Sequence, residues 1–184
     1  MAANVREIWT IGHSTRSIEE FICLLKAHEI CALADVRHFP GSRRYPHFGQ
    51  EQLSQSLAQA DIEYVHFPEL GGRRRPRADS PNMAWRNEAF RGYADYMMTG
   101  PFHEGIERLL SLACKKRTAV MCAEAVWWRC HRSLIADYLK AKGYRVLHIL
   151  GPDKVQEHPF TSAARIEAGK LSYAAGESDP QFTF

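Results

Sequence analysis

The sequence predicts an α/β fold: a single domain with an open, mainly parallel sheet of about five strands and helices on both faces. Three observations predict it. Short apolar runs alternate with longer stretches in which apolar residues recur at helical spacing. Gly- and Pro-bearing turns separate them. The 184 residues suit one domain, and a hydrophobic fraction of 45% supports a sizeable core. The core is expected over about residues 6–150, with 151–184 as a C-terminal extension.

Ile8-Trp9-Thr10-Ile11 reads as the first strand and Gly12-His13-Ser14-Thr15 as its turn. Ser17 and Glu20 have the spacing of a capping box, and Ile18, Phe21, Ile22 and Leu25 mark the inner face of the helix that follows. Ala32 to Val36 is the second strand, ending in Asp35-Val36-Arg37. The turn His38 to Phe48 is broken by Pro and Gly, and it brings basic and aromatic residues to the edge that holds Arg37. A helix is expected from about Gln50 to Ala60, then a third strand from Glu63 to Phe67. The charged, Pro-broken stretch Arg73 to Asn82 is long for a connection, so it is expected to be either a functional lid or disordered.

A helix follows from about Asn87 to Met98, and Gly100-Pro101 stops it and starts the next. The apolar run Ala119-Val120-Met121 is the fourth strand, and Leu134, Ile135, Tyr138 and Leu139 form one face of a helix closed at Gly143. Arg145 to Leu150 is the fifth strand. Beyond Pro152 the pattern fades: His158 to Thr161 reads as extended, Thr161 to Lys170 as a short helix, and Asp179 to Phe184 as a loosely held end.

In an open parallel sheet, ligands bind beyond the carboxyl ends of the strands. Gly12-His13-Ser14, Asp35-Val36-Arg37, Glu69-Leu70-Gly71-Gly72 and Cys122-Ala123-Glu124 each follow a strand. These four polar turns are therefore expected along one edge. The turn after the fourth strand is the densest, holding Cys122, Glu124, Trp127, Trp128, Arg129, Cys130, His131 and Arg132. It is expected to be the floor of a site.

The same turns carry a family likeness. Through Thr10-Ile-Gly-His-Ser14, Asp35-Val-Arg37 with Pro40, Ser42 and Pro46-His-Phe48, Leu70-Gly-Gly72, Met121-Cys-Ala-Glu124 and Cys130-His-Arg132, the chain resembles the DUF488 family. That family is a set of small, mostly prokaryotic proteins. The likeness runs from about Ile8 to about Leu150. It implies that the polar turns recur as a set, and it carries over no mechanism.

The residues then suggest chemistry. Arg37 and Arg132, with the amides after Cys122, would bind an anion, helped by Ser14, Cys130 and His131 near a helix start. Glu124 or Asp35, with His13, would move protons as catalytic groups. Asp35 could equally be ion-paired to Arg37. Trp127 or Trp128 could stack a planar ring, one of the two being packed inward. His66 and His148 lie inside strands and read as satisfied core histidines.

The leading expectation is therefore a hydrolase or transferase acting on a small phosphorylated, nucleotide-like ligand. Two alternatives stay open. One is a nucleic-acid-binding module using Arg43, Arg44 and the cluster Arg73 to Arg77, which the net charge of only +3 disfavours. The other is a thiol-based redox or sensor protein using Cys122 and Cys130. Five cysteines are too few and odd in number for a disulfide framework, and Cys23 and Cys31 read as small core residues. Cys-x7-Cys-His lacks the spacing of a structural zinc site, so no metal is assigned. No cofactor and no oligomeric state is specified by these residues. No apolar run spans a bilayer and the first residues lack a signal-peptide core, so no membrane partner and a cytoplasmic location are expected.

Overall fold

The computed structural model describes residues 6–41 and 43–176. Thirteen labelled elements follow in chain order: β1 (Glu7–Gly12), α1 (Ile18–Ala27), β2 (Ala32–Asp35), α2 (Gln50–Gln59), β3 (Glu63–His66), α3 (Glu88–Tyr96), α4 (Gly100–Ala113), β4 (Thr118–Cys122), α5 (Arg132–Ala141), β5 (Arg145–Gly151), β6 (Lys154–Glu157), β7 (Arg165–Glu167) and β8 (Lys170–Ser172). The main sheet has the order β3-β2-β4-β1-β5-β6. Its first five members pair in parallel, and β6 adds antiparallel to β5. The sheet is the parallel α/β architecture that the sequence predicts.

Side chains alternate across this sheet. On one face Trp9, Ile11, Leu33, Ala119 and Met121 pack against Phe21 and Leu25 of α1 and Leu53 and Leu57 of α2. On the other, Ile8, Ala34, Val120 and Val146 meet Tyr93 of α3, Phe102 and Ile106 of α4, and Leu134 and Ile135 of α5. Each fully buried Leu, Ile or Phe contributes on the order of 2 kcal/mol relative to exposure. The capping box of Ser17 and Glu20 opens α1, with both reciprocal bonds formed. Asn87 caps α3 by accepting from the amides of Ala89 and Phe90.

The topology places the site. β1 and β4 are neighbours, with Gly12 opposite Cys122. The helices that follow them, α1 and α5, lie on opposite faces of the sheet. The two connections diverge and leave a crevice at the carboxyl ends of β1 and β4, the switch point where open sheets bind ligands.

Three expectations need correction or refinement. Residues 161–170 do not form a helix: Arg165–Glu167 and Lys170–Ser172 pair as a hairpin, and Ala168 and Gly169 turn it with φ of 49° and 73°. A two-residue turn with both φ values positive matches the twist of a hairpin. Cys23 and Cys31 are exposed, since the buried stripe of α1 runs through Phe21, Leu24 and Leu25 and Cys31 sits just ahead of β2. The stretch from Arg73 to Asn82 is neither disordered nor loose. Asp95 of α3 accepts from the Arg77 amide at 2.8 Å, the Ser80 hydroxyl at 2.6 Å and Asn82 Nδ2 at 2.7 Å. Gly92 lets this stretch lie directly on α3, because a Cβ there would overlap the Arg74 carbonyl. The expected loose end at 179–184 lies outside the described residues.

Residues 151–176 pack into the same body. β6 extends the sheet, and His158, Thr161 and Tyr173 converge on Asp137 of α5. No helix among the described residues is long and apolar enough to cross a membrane.

Candidate functional site

A cavity of about 780 Å³ opens at the switch point. Its wall draws on the turns after β1, β2 and β4 and on the Gly72-Arg73 corner. His13 and Ser14 come from the first, Arg37 and His38 from the second, and Cys122, Glu124, Arg129, Cys130 and His131 from the third.

Backbone pairing carries these turns past the strand ends. The amides of His13 and Ser14 donate to the carbonyls of Cys122 and Ala123 at 3.0 and 2.9 Å. The amide of Val36 donates to Met121 O at 3.0 Å. Gly12 is required by this approach, since a Cβ would overlap the Glu124 carbonyl. Among the described residues, five other than glycine have positive φ. Glu29 and Asp61 sit just beyond helices α1 and α2, and Ala168 is in the hairpin turn. The remaining two, Ser14 (52°) and Arg73 (61°), both line the cavity. Such strain concentrates where surrounding structure holds a residue for a purpose.

Arg37 is the most tightly built of the lining cations. It is 8% exposed, and Asp35 behind it is 0% exposed. Arg37 donates from Nε to Oδ1 of Asp35 at 2.9 Å and from Nη2 to Oδ2 at 2.6 Å. Tyr64 donates its hydroxyl to the same Oδ2 at 2.7 Å, and burial and the Asp35 charge push the Tyr64 hydroxyl's pKa upward. The two carboxylate oxygens are thus occupied, and Asp35 takes no part in the cavity wall. Asp35 is ion-paired to Arg37, the alternative that the sequence left open for it beside proton transfer. Arg37 Nη1 is left at the wall, 3.5 Å from His13 Nε2.

His13 is held neutral. Burial, with Arg37 nearby, pulls it down to about 4 against a bond to the Ser14 carbonyl that raises it. Its Nδ1 lies 2.9 Å from that carbonyl, which can only accept, so Nδ1 carries the proton and Nε2 holds a lone pair toward Arg37. His131 is also pulled down to about 4, chiefly by burial, while its Nε2 donates to Val36 O at 3.0 Å. Glu124 is exposed at the wall, and Arg44, Arg73 and Arg129 line it too.

The structure turns two expected ligand contacts away. Arg132 is 1% exposed and absent from the wall. It donates through Nε to Cys122 Sγ at 3.0 Å, Nη1 to Thr10 Oγ1 at 3.2 Å and Nη2 to Glu124 O at 2.6 Å. Trp127 packs inward, stacked on His148 at 4.7 Å with its Nε1 donating to Gln156. Trp128 is exposed. Trp127 lies in the short 3-10 turn Trp127–Arg129 and is its one buried residue, whereas Arg132 opens α5. Cys122 and Cys130 are paired as a disulfide at the cavity floor, and Cys23, Cys31 and Cys114 are free.

The model of the family described as Domain of unknown function DUF488 matches residues 17–139. The chain belongs to the DUF488 family. The match takes in every wall residue of this DUF488 chain except those of the first turn, His13 to Thr15, which precede it. No curated protein and no solved structure matches the chain.

Behind the wall of this DUF488 chain runs a buried hydrogen-bonded chain invisible to motif reading. Thr10 Oγ1 is 2.7 Å from His148 Nδ1, His148 Nε2 is 2.9 Å from His158 Nδ1, and His158 Nε2 is 2.9 Å from Asp137 Oδ1. With Asp137 ionised, only one direction of donation satisfies every atom: Arg132 to Thr10, Thr10 to His148, His148 to His158, His158 to Asp137. Asp137 is completed by Thr161 and Tyr173. His148 is thus the satisfied core histidine the strand position suggests. Arg44, Arg73, Arg129 and His38 are wall residues that single motifs do not pick out. The signal available was their position in turns beside Arg37 and Glu124. Among the described residues, no cluster of three or more His, Cys, Asp or Glu side chains could hold a metal ion.

Proposed function

We propose that the chain is an enzyme, a hydrolase or group transferase, acting on a small phosphorylated, nucleotide-like substrate in this cavity. One observation carries the reading. The wall presents Arg37, Arg44, Arg73 and Arg129 against a single carboxylate, Glu124. Guanidiniums match phosphate by planar, paired donation. Arg37, fixed by Asp35, would meet the anion through Nη1 without reorganising, and this is the form in which electrostatic stabilisation is most effective. Arg44, Arg73 and Arg129 would hold the outer oxygens. Phe39 and Tyr45, both at the wall, would offer aromatic faces to a planar ring. Glu124 would take the proton from the attacking hydroxyl or water and pass it to the leaving oxygen, and the lone pair on His13 Nε2 would accept a hydrogen bond from a protonated phosphate oxygen. Ser14 would donate its hydroxyl to a substrate oxygen.

Titration calorimetry with a nucleoside monophosphate tests this. The wild-type protein should bind it, and Arg73→Gln with Arg129→Gln should weaken binding by at least about tenfold, since a charge-assisted hydrogen bond contributes roughly 1.5–3 kcal/mol. Equal affinity in the double variant would remove the arginine wall from ligand recognition. Once a turned-over substrate is found, Glu124→Gln should abolish most of the turnover while leaving binding intact.

A further inference from the structure

Arg132 is the largest fully buried side chain, yet no carboxylate lies within ion-pair reach of it among the described residues. The carboxylate joined to it, Asp137, lies beyond Thr10, His148 and His158. Burial lowers its guanidinium to about 9, against the charge of Glu124 beyond ion-pair distance, which raises it, so it remains a cation at neutral pH. A buried cation without a counter-charge is costly. The groups beside it that can acquire negative charge are the two sulfurs. Nε lies 3.0 Å from Cys122 Sγ and 3.5 Å from Cys130 Sγ, and the Arg132 amide lies 3.3 Å from Cys130 Sγ. A neutral disulfide leaves the guanidinium with no counter-charge in contact, whereas reduction to a thiolate supplies one. Both cysteines also line the cavity, with 3% and 6% of their surface exposed.

We propose that Cys122 and Cys130 form a thiol–disulfide exchange centre in which Arg132 holds Cys122 as the attacking thiolate, and that its co-reactant is a small disulfide bearing carboxylates. The exchange stands on Arg132 and the two sulfurs. The anionic character of the co-reactant rests on the reading of the arginine wall given above. In the reduced protein the Cys122 sulfur attacks one sulfur of the small disulfide. That S–S bond breaks, one half leaves as a thiol after taking a proton from solvent, and the other half stays bonded to Cys122. Cys130 then loses its proton to solvent and attacks the Cys122 sulfur. The Cys122–Cys130 bond closes and the second half leaves as a thiol. Two electrons pass from the protein to the small disulfide, and two equivalents of thiol drive the reverse.

The fully reduced protein is alkylated with iodoacetamide across a pH series, and each cysteine is followed by peptide mass. The exposed thiols Cys23, Cys31 and Cys114 are internal references. Cys122 should titrate at least about one pH unit below them. A midpoint equal to theirs overturns the proposal. In Cys130→Ser, oxidised glutathione should leave a mixed disulfide on Cys122 that accumulates, since nothing resolves it. Failure to trap that adduct overturns the exchange step. The uncharged 2-hydroxyethyl disulfide should react at least about tenfold more slowly. Equal rates overturn the carboxylate-bearing co-reactant while the thiolate titration and nucleotide binding are read separately. Arg132→Met, checked for folding by circular dichroism, should return the Cys122 midpoint toward about 8.5.

Discussion

Arg37 and Asp35, two residues apart at the end of β2, close on each other through two parallel hydrogen bonds of 2.9 and 2.6 Å, with almost no solvent at either. The pair converts a flexible cation into a fixed one. Replacing Asp35 by Asn leaves the guanidinium buried without its counter-charge, and that class of change costs about 3–5 kcal/mol. Urea denaturation of Asp35→Asn should show a loss of that order. A loss below about 1 kcal/mol would mean that Arg37 finds other compensation.

Acid should destabilise the fold through the buried histidines. His13 and His131 titrate at about 4 when folded, against an ordinary value of 6.5. Between those values the unfolded chain holds protons that the folded chain refuses, so stability rises with pH across the window. The contribution is complete above about pH 6.5, declines as pH falls and levels off below about 4. His148, lowered to about 2 by burial and by His158 and Arg132, extends the loss further down. Each of the first two contributes at most about 3 kcal/mol. Chemical denaturation from pH 7.5 to 4 should show this slope, and His13→Gln should flatten it.

Gly12→Ala should be poorly tolerated. Its methyl group would occupy the space of the Glu124 carbonyl, which also accepts from Arg132 Nη2 at 2.6 Å. The loop after β4 must move or β1 must shift, and overpacking of this kind costs about 1–3 kcal/mol. Thermal melting of the variant measures the cost. Displacement of the loop should also change the alkylation rate of Cys122.

Asp95→Ala should free the segment that carries Arg73. Burial pushes the Asp95 carboxyl's pKa up, but hydrogen bonds from Ser80, the Arg77 amide and Asn82 outweigh it and leave it lowered. Without that carboxylate, residues 77–82 lose their anchor to α3. Trypsin should then cleave after Arg77 at least about tenfold faster, while the core stays protected. Unchanged cleavage would place the anchor elsewhere, in the contact of Gly92 with Arg74.

Asp137→Asn should break the chain from Arg132 inward. An amide can still accept from His158, but its NH₂ then meets the Thr161 and Tyr173 hydroxyls that now donate to Oδ2. Both hydroxyls would have to turn, and leaving buried donors unpaired costs about 1–3 kcal/mol each. A denaturation experiment reads the loss, and hydrogen exchange should show residues 158–173 opening first.

The strands and helices of the sheet are legible because their apolar periodicity follows directly from which side faces the core. Ser17 and Glu20 announce α1 by local chemistry alone. The convergence of the turns after β1, β2 and β4 follows from parallel topology. What hides is side-chain direction. Nothing in Arg129-Cys-His-Arg132 says that Arg129 faces the cavity and Arg132 the interior, since that depends on a three-residue turn whose register only the fold decides. The hairpin at 165–172 is hidden for a related reason: its strands have three residues each, too short for alternation to show, and its turn rests on Ala168 entering positive φ. The partnership of Asp137 with His158 and Tyr173 is invisible because its members are separated by long stretches of chain and form no motif.

The strand β1 sits between β4 and β5, yet it precedes the stretch 17–139 that the family model matches. His158, Thr161 and Tyr173, which satisfy Asp137, follow that stretch. A fragment cut at the limits of the match would lack an interior strand and would leave a carboxylate stranded in its core. Anyone designing an expression fragment should therefore keep at least residues 6–176 together, because the smallest cooperative unit is wider than the portion by which the family is recognised.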